Sequence, residues 1–326
     1  MQKRVLSGMQ PSGPLHIGNL LGALDNWIAL QKDYQCFFFV ADWHALSTNY
    51  EHTDRIKDFS RELVTDWLAA GIDPQRSTVF VQSHVAHHAV LHLLLSMIVP
   101  VPWLERNPTY KEKQEQLAER DLTTYGFLGY PVLQAADILL YRPDFVPVGK
   151  DQLPHLELTR ELARRFNTLY QPVFLEPKEH LTHFPKVLGT DGRKMSKSYG
   201  NTINVSDSEP EVRQKLKTMV TDPARVKRTD PGNPDICPVY DFHKIFSSSD
   251  VRDRVNRECR TAAIGCIDCK HLVANAMVQR LTPIWEKRAA LKAQPKLVAD
   301  IVHEGGQRAA VVSGQTLEEV KAAMKI

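Results

Sequence analysis

Continuous apolar runs at 5–7, 36–41, 78–82 and 145–148 alternate with stretches in which apolar residues return every third or fourth position. The runs have the length of strands buried on both faces, and the intervening stretches carry the one-sided stripe of surface helices. Between 55 and 70, Ile56, Phe59, Leu63 and Trp67 keep helical spacing, Thr53 or Asp54 is placed to cap the start, and Gly71 closes the end. Further helices are predicted over 88–99 and over 155–166, the latter with Leu158, Leu162 and Phe166 as its stripe. This alternation predicts an α/β fold, a Rossmann-type doubly wound parallel sheet. From 205 onward strand-like runs thin out and helical ones dominate, at 210–220, 272–292 and 317–325. Asn, Ser and Asp gather at 201–208, so the expected boundary separates an α/β domain over 1–203 from a mostly α-helical domain over 204–326.

Composition changes this picture little. The 326 residues are 43% apolar and 24% charged, ordinary for a globular chain with room for a sizeable core. A net charge of +3 excludes a strongly basic chain, so any nucleic-acid surface is a local patch. The most apolar stretch, 89–99, is broken by His92 and Ser96 and is too short to cross a bilayer, and the first residues lack a secretion signal's apolar core. A cytoplasmic chain without membrane contact is expected.

Two polar stretches carry the candidate chemistry. Gln10-Pro-Ser-Gly-Pro-Leu-His-Ile-Gly-Asn19 follows the first strand and opens a helix, whose unpaired N–H groups and dipole favour phosphate. Gly18 would let a nucleotide approach the backbone, while His16 and Asn19, three apart, share a face and offer donors. An ordinary Gly/Pro turn into an amphipathic helix has the same features. Gly189 to Asn201 has no apolar periodicity and holds Arg193, Lys194 and Lys197, reading as a mobile cationic loop or a solvated charged turn.

Together the two stretches resemble the signatures of class I aminoacyl-tRNA synthetases. His16-Ile-Gly-Asn19 is similar to the HIGH element with Asn in the last place, and Lys194-Met-Ser-Lys-Ser198 matches the KMSKS loop letter for letter. The resemblance implies that the α/β domain is catalytic and that ATP, with Mg²⁺, activates an amino acid. It implies that His16, Asn19, Lys194 and Lys197 stabilise the reacting phosphates, with Lys113 adding a contact from the charged stretch around it. A solvated helix face fits Lys113 as well.

The amino acid is suggested further along. The stretch from Tyr130 to Tyr141 is largely apolar with one carboxylate, Asp137, and a charge buried there demands a partner. Gly149, Asp151 and Gln152 follow the strand at 145–148, where open α/β sheets bind ligands. Ser7-Gly-Met-Gln-Pro-Ser-Gly13, Ala41-Asp-Trp-His-Ala45, Ala136-Asp-Ile-Leu-Leu-Tyr141 and Val146-Pro-Val-Gly-Lys-Asp-Gln152 resemble the tryptophanyl-tRNA synthetase family. By that resemblance Asp137 accepts the indole N–H, Tyr130, Gln134, Ile138, Val146 and Val148 wall the pocket, and His44 and Gln10 lie near the polar end. ATP would meet Gln10, Pro11, Ser12, Gly18, Asn19, Gly149, Lys150, Asp151 and Gln152, together with Lys194, Met195, Ser196, Lys197 and Ser198. Leu6 stands where the family often has an aromatic residue. The resemblance also implies L-tryptophan and tRNA(Trp) as partners and a homodimer.

Cys36 sits in a buried run and reads as core, whereas Cys237, Cys259, Cys266 and Cys269 cluster, the last two as CxxC. Four such residues in a reducing compartment suit Zn²⁺ or a [4Fe–4S] cluster. Resemblance to a subset of the family favours [4Fe–4S], with Lys244, Arg257, Arg260 and Lys270 as nearby cations for an anticodon arm. His84, His87, His88 and His92 read as surface or helix-face histidines. Three rivals share parts of the pattern. They are a tyrosine-activating enzyme, a metabolic nucleotidyltransferase with no need of the helical domain, and an iron–sulfur RNA-binding protein that leaves the ATP stretches idle.

Overall fold

A computed structural model describes residues 2–108, 110, 122–181 and 187–326, and Lys113 lies outside them. Its five strands are β1 (Arg4–Met9), β2 (Gln35–Val40), β3 (Ser77–Val81), β4 (Phe145–Val148) and β5 (Lys178–Leu181). They are all parallel, in the order β3-β2-β1-β4-β5, with β1 register running from Arg4↔Gln35 to Met9↔Val40 against β2. The helices are α1 (Ile17–Asn19), α2 (Asp25–Leu30), α3 (Asp42–Asn49), α4 (Ile56–Ala70), α5 (His87–Ser96), α6 (Val101–Glu105), α7 (Tyr125–Tyr141) and α8 (Leu153–Leu169). After residue 200 come α9 (Glu209–Thr218), α10 (Pro238–Phe246), α11 (Ser249–Arg260), α12 (Cys266–Lys292) and α13 (Pro295–Met324).

By Cα proximity the chain gathers into two compact units. Met1–Ser12, Asn26–His183 and Gln294–Ile326 form the sheet unit, and Gly13–Asp25 with Phe184–Ala293 form the second. In the sheet unit the apolar run of β2 has every residue from Cys36 to Val40 buried, because helices cover both faces. Trp27 stacks on Phe38 at 4.6 Å and meets Trp67 of α4 edge-on at 5.1 Å. The expected α4 is present with Leu63 and Trp67 buried, ending at Gly71 with φ +128°.

At the sheet edge, α13 lies against β3. A Cβ added to Gly305 would fall 1.8 Å from the Val79 carbonyl oxygen, so helix backbone and strand backbone touch directly. That cover explains why all five residues of an edge strand are buried. In the second unit Leu15, Ile17, Leu20 and Leu24 are buried, the Ile17 N–H donates to the Ile203 carbonyl, and Trp285 donates through Nε1 to the Val205 carbonyl.

Candidate active site

The carboxyl ends of β1 to β4 each lead into residues singled out by the sequence, as parallel sheets place their ligands. Tyr130, Gln134, Asp137, Ile138 and Tyr141 fall on one stripe of α7. Asp137 is 1% exposed and is met by three donors. His44 Nε2 lies 2.9 Å from Oδ2, while Oδ1 is met by Gln82 Nε2 and His88 Nδ1, both at 2.7 Å. Burial pushes the Asp137 carboxyl up, but hydrogen bonds and charge from His44 and His88 outweigh it and hold the group below its ordinary range. His88 Nε2 also meets Tyr141 Oη at 2.8 Å, and burial together with the Asp137 charge raises the Tyr141 phenol.

Here one expectation is refined. His88 is a helix-face residue, but on the buried face of α5 and not at the surface, where it belongs to the Asp137 shell. His84 is exposed, and His87 meets Ser313 Oγ at 2.8 Å. Gln82, which sequence reasoning passed over, receives the Trp43 and His44 N–H groups on Oε1 (3.1 and 3.4 Å) and so joins β3, α3 and α7. Ile138, Val146 and Val148 are buried with Leu6 in the main core cluster, whereas Tyr130 packs on Phe127 and points its hydroxyl at His155 Nε2 (3.2 Å).

After β1, the Ser12 N–H donates to the Gln10 carbonyl (2.9 Å) and Pro11 is buried. After β4, Lys150–Gln152 form a 3-10 turn in which Gln152 Nε2 donates to Asp151 Oδ2 (3.1 Å). A Cβ on Gly149 would sit 2.5 Å from Asp151 Oδ1, so only glycine lets that carboxylate fold back.

In the second unit the two signature stretches meet. His16 caps α1 by accepting the Asn19 N–H on Nδ1 (3.2 Å), and Asn19 Oδ1 accepts the His16 N–H (3.3 Å). Accepting at Nδ1 leaves the proton of the neutral ring on Nε2, which together with Asn19 Nδ2 is the donor set that remains. Burial and the Lys197 charge push His16 down to about 4, so the ring is neutral near pH 7. Gly18 is required by this cap as well as by any ligand, since its Cβ would come within 2.9 Å of the His16 ring. Lys197 Nζ donates to the Gly13 carbonyl (3.0 Å).

The 189–201 stretch folds as a turn stapled by Asn201. Its Oδ1 receives the Ser196 N–H (2.8 Å), and its Nδ2 donates to Asp191 Oδ1 (2.7 Å) and the Lys194 carbonyl (3.2 Å). Met195 is buried, Lys194 and Ser198 are exposed, and Arg193 lies over Tyr199 at 4.3 Å.

The four cysteines come from three places. Cys237 precedes α10, Cys259 lies near the end of α11, and Cys266 and Cys269 open α12. Arg225 Nη1 is 3.7 Å from Cys259 Sγ, and His243 Nε2 is 3.4 Å from Cys269 Sγ. Burial and the charges of the other three cysteines push Cys269 up to about 12. Among the described residues no group of three or more His, Cys, Asp or Glu is arranged to hold a metal ion. Of the neighbouring cations, Lys244 pairs with Asp241, Arg260 with Asp235, and Lys270 donates to the Lys217 carbonyl.

Residues 2–282 match the family described as "tRNA synthetases class I (W and Y)". The chain is 54% identical to a tryptophan–tRNA ligase of Thermotoga maritima over 99% of both chains, and 44% identical to that of Ralstonia nicotianae over 99% of this chain and 98% of the other. Its structure is similar to a tryptophanyl-tRNA synthetase from Campylobacter jejuni complexed with ADP and tryptophan, with a TM-score of 0.91 and 32% identity over 99% of this chain and all of the other.

Proposed function

Since the chain belongs to the class I tRNA synthetases and is a tryptophan–tRNA ligase, we propose that Asp137 accepts the indole N–H of tryptophan and that His16, Asn19, Lys194 and Lys197 attend the phosphates of ATP. The enzyme activates L-tryptophan to tryptophanyl-adenylate with release of pyrophosphate and then passes the acyl group to the 3′ end of tRNA(Trp). The substrate carboxylate attacks the α-phosphorus in line with departing pyrophosphate, so the protein supplies position and positive charge rather than a covalent nucleophile. ATP enters with Mg²⁺, whose charge offsets that of the phosphates.

The observation that carries the assignment of Asp137 is its shell. Among the described residues Oδ1 already has two donors and Oδ2 has only His44, which leaves acceptor capacity for one more N–H. Indole is a donor with no acceptor of its own, and an ionised carboxylate reads it well. Tyr130, Gln134, Ile138, Val146 and Val148 wall the ring, while His44 and Gln10 serve its polar end. Gln10, Pro11, Ser12, Gly18, Asn19, Gly149, Lys150, Asp151 and Gln152 hold ATP with the 194–198 turn, and Lys113 adds a phosphate contact. The neutral His16 donates through Nε2, and Lys197, already on the Gly13 carbonyl, neutralises charge on the leaving pyrophosphate.

Cys237, Cys259, Cys266 and Cys269 are assigned a [4Fe–4S] cluster rather than Zn²⁺. The CxxC of Cys266 and Cys269 at the start of α12, with Cys237 and Cys259 on the two preceding segments and Arg225 3.7 Å from Cys259 Sγ, supports the iron–sulfur reading. When bound, the cluster fastens the start of α12 to Cys237 and Cys259. The mostly α-helical stretch over 204–326, whose last helix α13 packs on β3 of the sheet unit, is assigned to the anticodon arm of tRNA(Trp), and the chain to the cytoplasm. A homodimer is supported by Leu93, Met97 and Val101, which are 54%, 69% and 51% exposed on and between α5 and α6.

Amino-acid-dependent ATP–pyrophosphate exchange tests the reading on protein purified without oxygen. Exchange with tryptophan alone, abolished in Asp137→Ala, is the expected result; exchange with tyrosine, or activity surviving that substitution, overturns it. Iron and sulfide analysis of the same sample tests the cluster, and zinc in place of iron would refute it.

A further inference from the structure

We propose that the sheet unit carries a second small-molecule site, a pocket for an aryl-alkyl carboxylate that is separated from the Asp137 shell by Asp42, Trp43 and Ser83. A cavity of about 570 Å³ opens between α3, α4, the end of β3 and the start of α13. That volume suits a drug-sized organic molecule. Its walls are Leu46, Ile56, Val64, Val81, Val298 and Val302, while Asp137, His44 and Gln82 are not among its lining residues. At the opening stand Lys57 and Arg61, one turn apart on α4 and both exposed, with Arg61 also holding Asp58 at 3.1 Å. An apolar body with an anionic end matches both parts.

The cavity is connected to the tryptophan shell by short polar links. Asp42 and Trp43 line it, and the Trp43 N–H is shared between Asp42 Oδ1 (3.0 Å) and Gln82 Oε1 (3.1 Å). Ser83, also lining the cavity, donates its N–H to the same Asp42 oxygen at 3.0 Å. The Gln82 amide that receives Trp43 on its oxygen gives its N–H to Asp137 Oδ1 at 2.7 Å. An occupant that shifts Trp43 or Asp42 therefore tilts the amide that orients Asp137, and occupancy changes the apparent affinity for tryptophan. This coupling rests on the reading of Asp137 given above; binding in the cavity does not.

The test uses the full-length protein with tryptophan at saturation and 4-phenylbutanoate as the probe, followed by saturation-transfer NMR and calorimetry. The probe binds with tryptophan present, and the uncharged 4-phenylbutanamide binds at least about fivefold more weakly. Lys57→Ala/Arg61→Ala weakens the probe by about tenfold, and Ala299→Trp, at the exposed rim, blocks it while the melting temperature holds. In pyrophosphate exchange the probe moves the KM for tryptophan by about threefold or more in the unsubstituted enzyme and leaves that of Ala299→Trp unchanged. Displacement of the probe by tryptophan, or binding unaffected by Ala299→Trp, overturns the site. Binding without any change in KM overturns the coupling. Unimpaired tryptophan exchange in Asp137→Asn would refute the Asp137 reading separately, leaving the binding result standing.

Discussion

Asp137 is a buried charge stabilised by three named donors, and the donors differ in what their loss does. Replacing His88 with Leu removes one donor from Oδ1 and one of the partners of the Tyr141 hydroxyl, which keeps its hydrogen bond with Ser313. That change is expected to cost about 1–3 kcal/mol of stability in denaturant titration and to raise the KM for tryptophan about tenfold, while His88→Asn recovers part of both. A melting loss with unchanged KM would make His88 purely structural. The sequence marked Asp137 because a lone carboxylate in an apolar stretch is conspicuous. It did not mark His88 as a partner, since contact across 49 positions leaves no local trace. One signal was available: His88 shares the buried stripe of α5 with Leu91 and Leu95, a place where a histidine needs a partner.

His16 offers a second test at this scale. Its pKa in the fold, about 4, lies below the ordinary 6.5, so the unfolded chain binds the proton more readily. Stability from this residue is complete above pH 6.5 and is lost as pH falls toward 4. In NMR the His16 Cε1–H resonance is therefore expected to stay fixed between about pH 5.5 and 7.5, and an ordinary midpoint near neutrality would refute the buried cap.

Among elements, α13 shows where periodicity stops being informative. Only 317–325 reads as helix in the sequence, because Gly305-Gly306 breaks the pattern, yet one helix runs from Pro295 to Met324. Glycine weakens a helix in isolation but is required where helix backbone meets strand backbone. The two glycines predict opposite outcomes. Gly305→Ala places a Cβ 1.8 Å from a main-chain oxygen that cannot move aside, and is expected to cost about 3 kcal/mol or more in thermal unfolding. Gly306→Ala meets only the His84 side chain at 3.6 Å and is expected to be neutral or stabilising by up to about 1 kcal/mol. The four strands with continuous apolar runs were legible, whereas β5, Lys-Glu-His-Leu and largely exposed, follows no apolar rule and depends on its pairing with β4.

For the whole molecule, the compact units are assembled from segments that alternate along the chain, although composition shifts once, near 201–208. The two signature stretches were conspicuous as a pair, through their resemblance to the class I elements, because each alone also fits an ordinary turn. The segment exchange was not, because burial of α13 depends on a surface more than 200 positions away. A fragment ending at residue 203 keeps all five strands and loses α13. It is expected to bind the dye ANS and to lack a cooperative melt, and adding a peptide of residues 294–326 should partly restore one. A sharp, two-state melt of the fragment alone would show that β3 needs no cover.

The contact between Gly305 and Val79 also sets an order of events at the ribosome. All five strands have been synthesised once Leu181 is made, but the helix that shields the outermost one is not finished until Met324. At ordinary elongation rates the nascent sheet waits roughly 10–30 s with its apolar edge strand bare. Through that interval the strand is open to pairing with a neighbouring nascent chain on the same messenger, so production of this protein should depend on chaperone capacity more steeply than the stability of the finished molecule suggests.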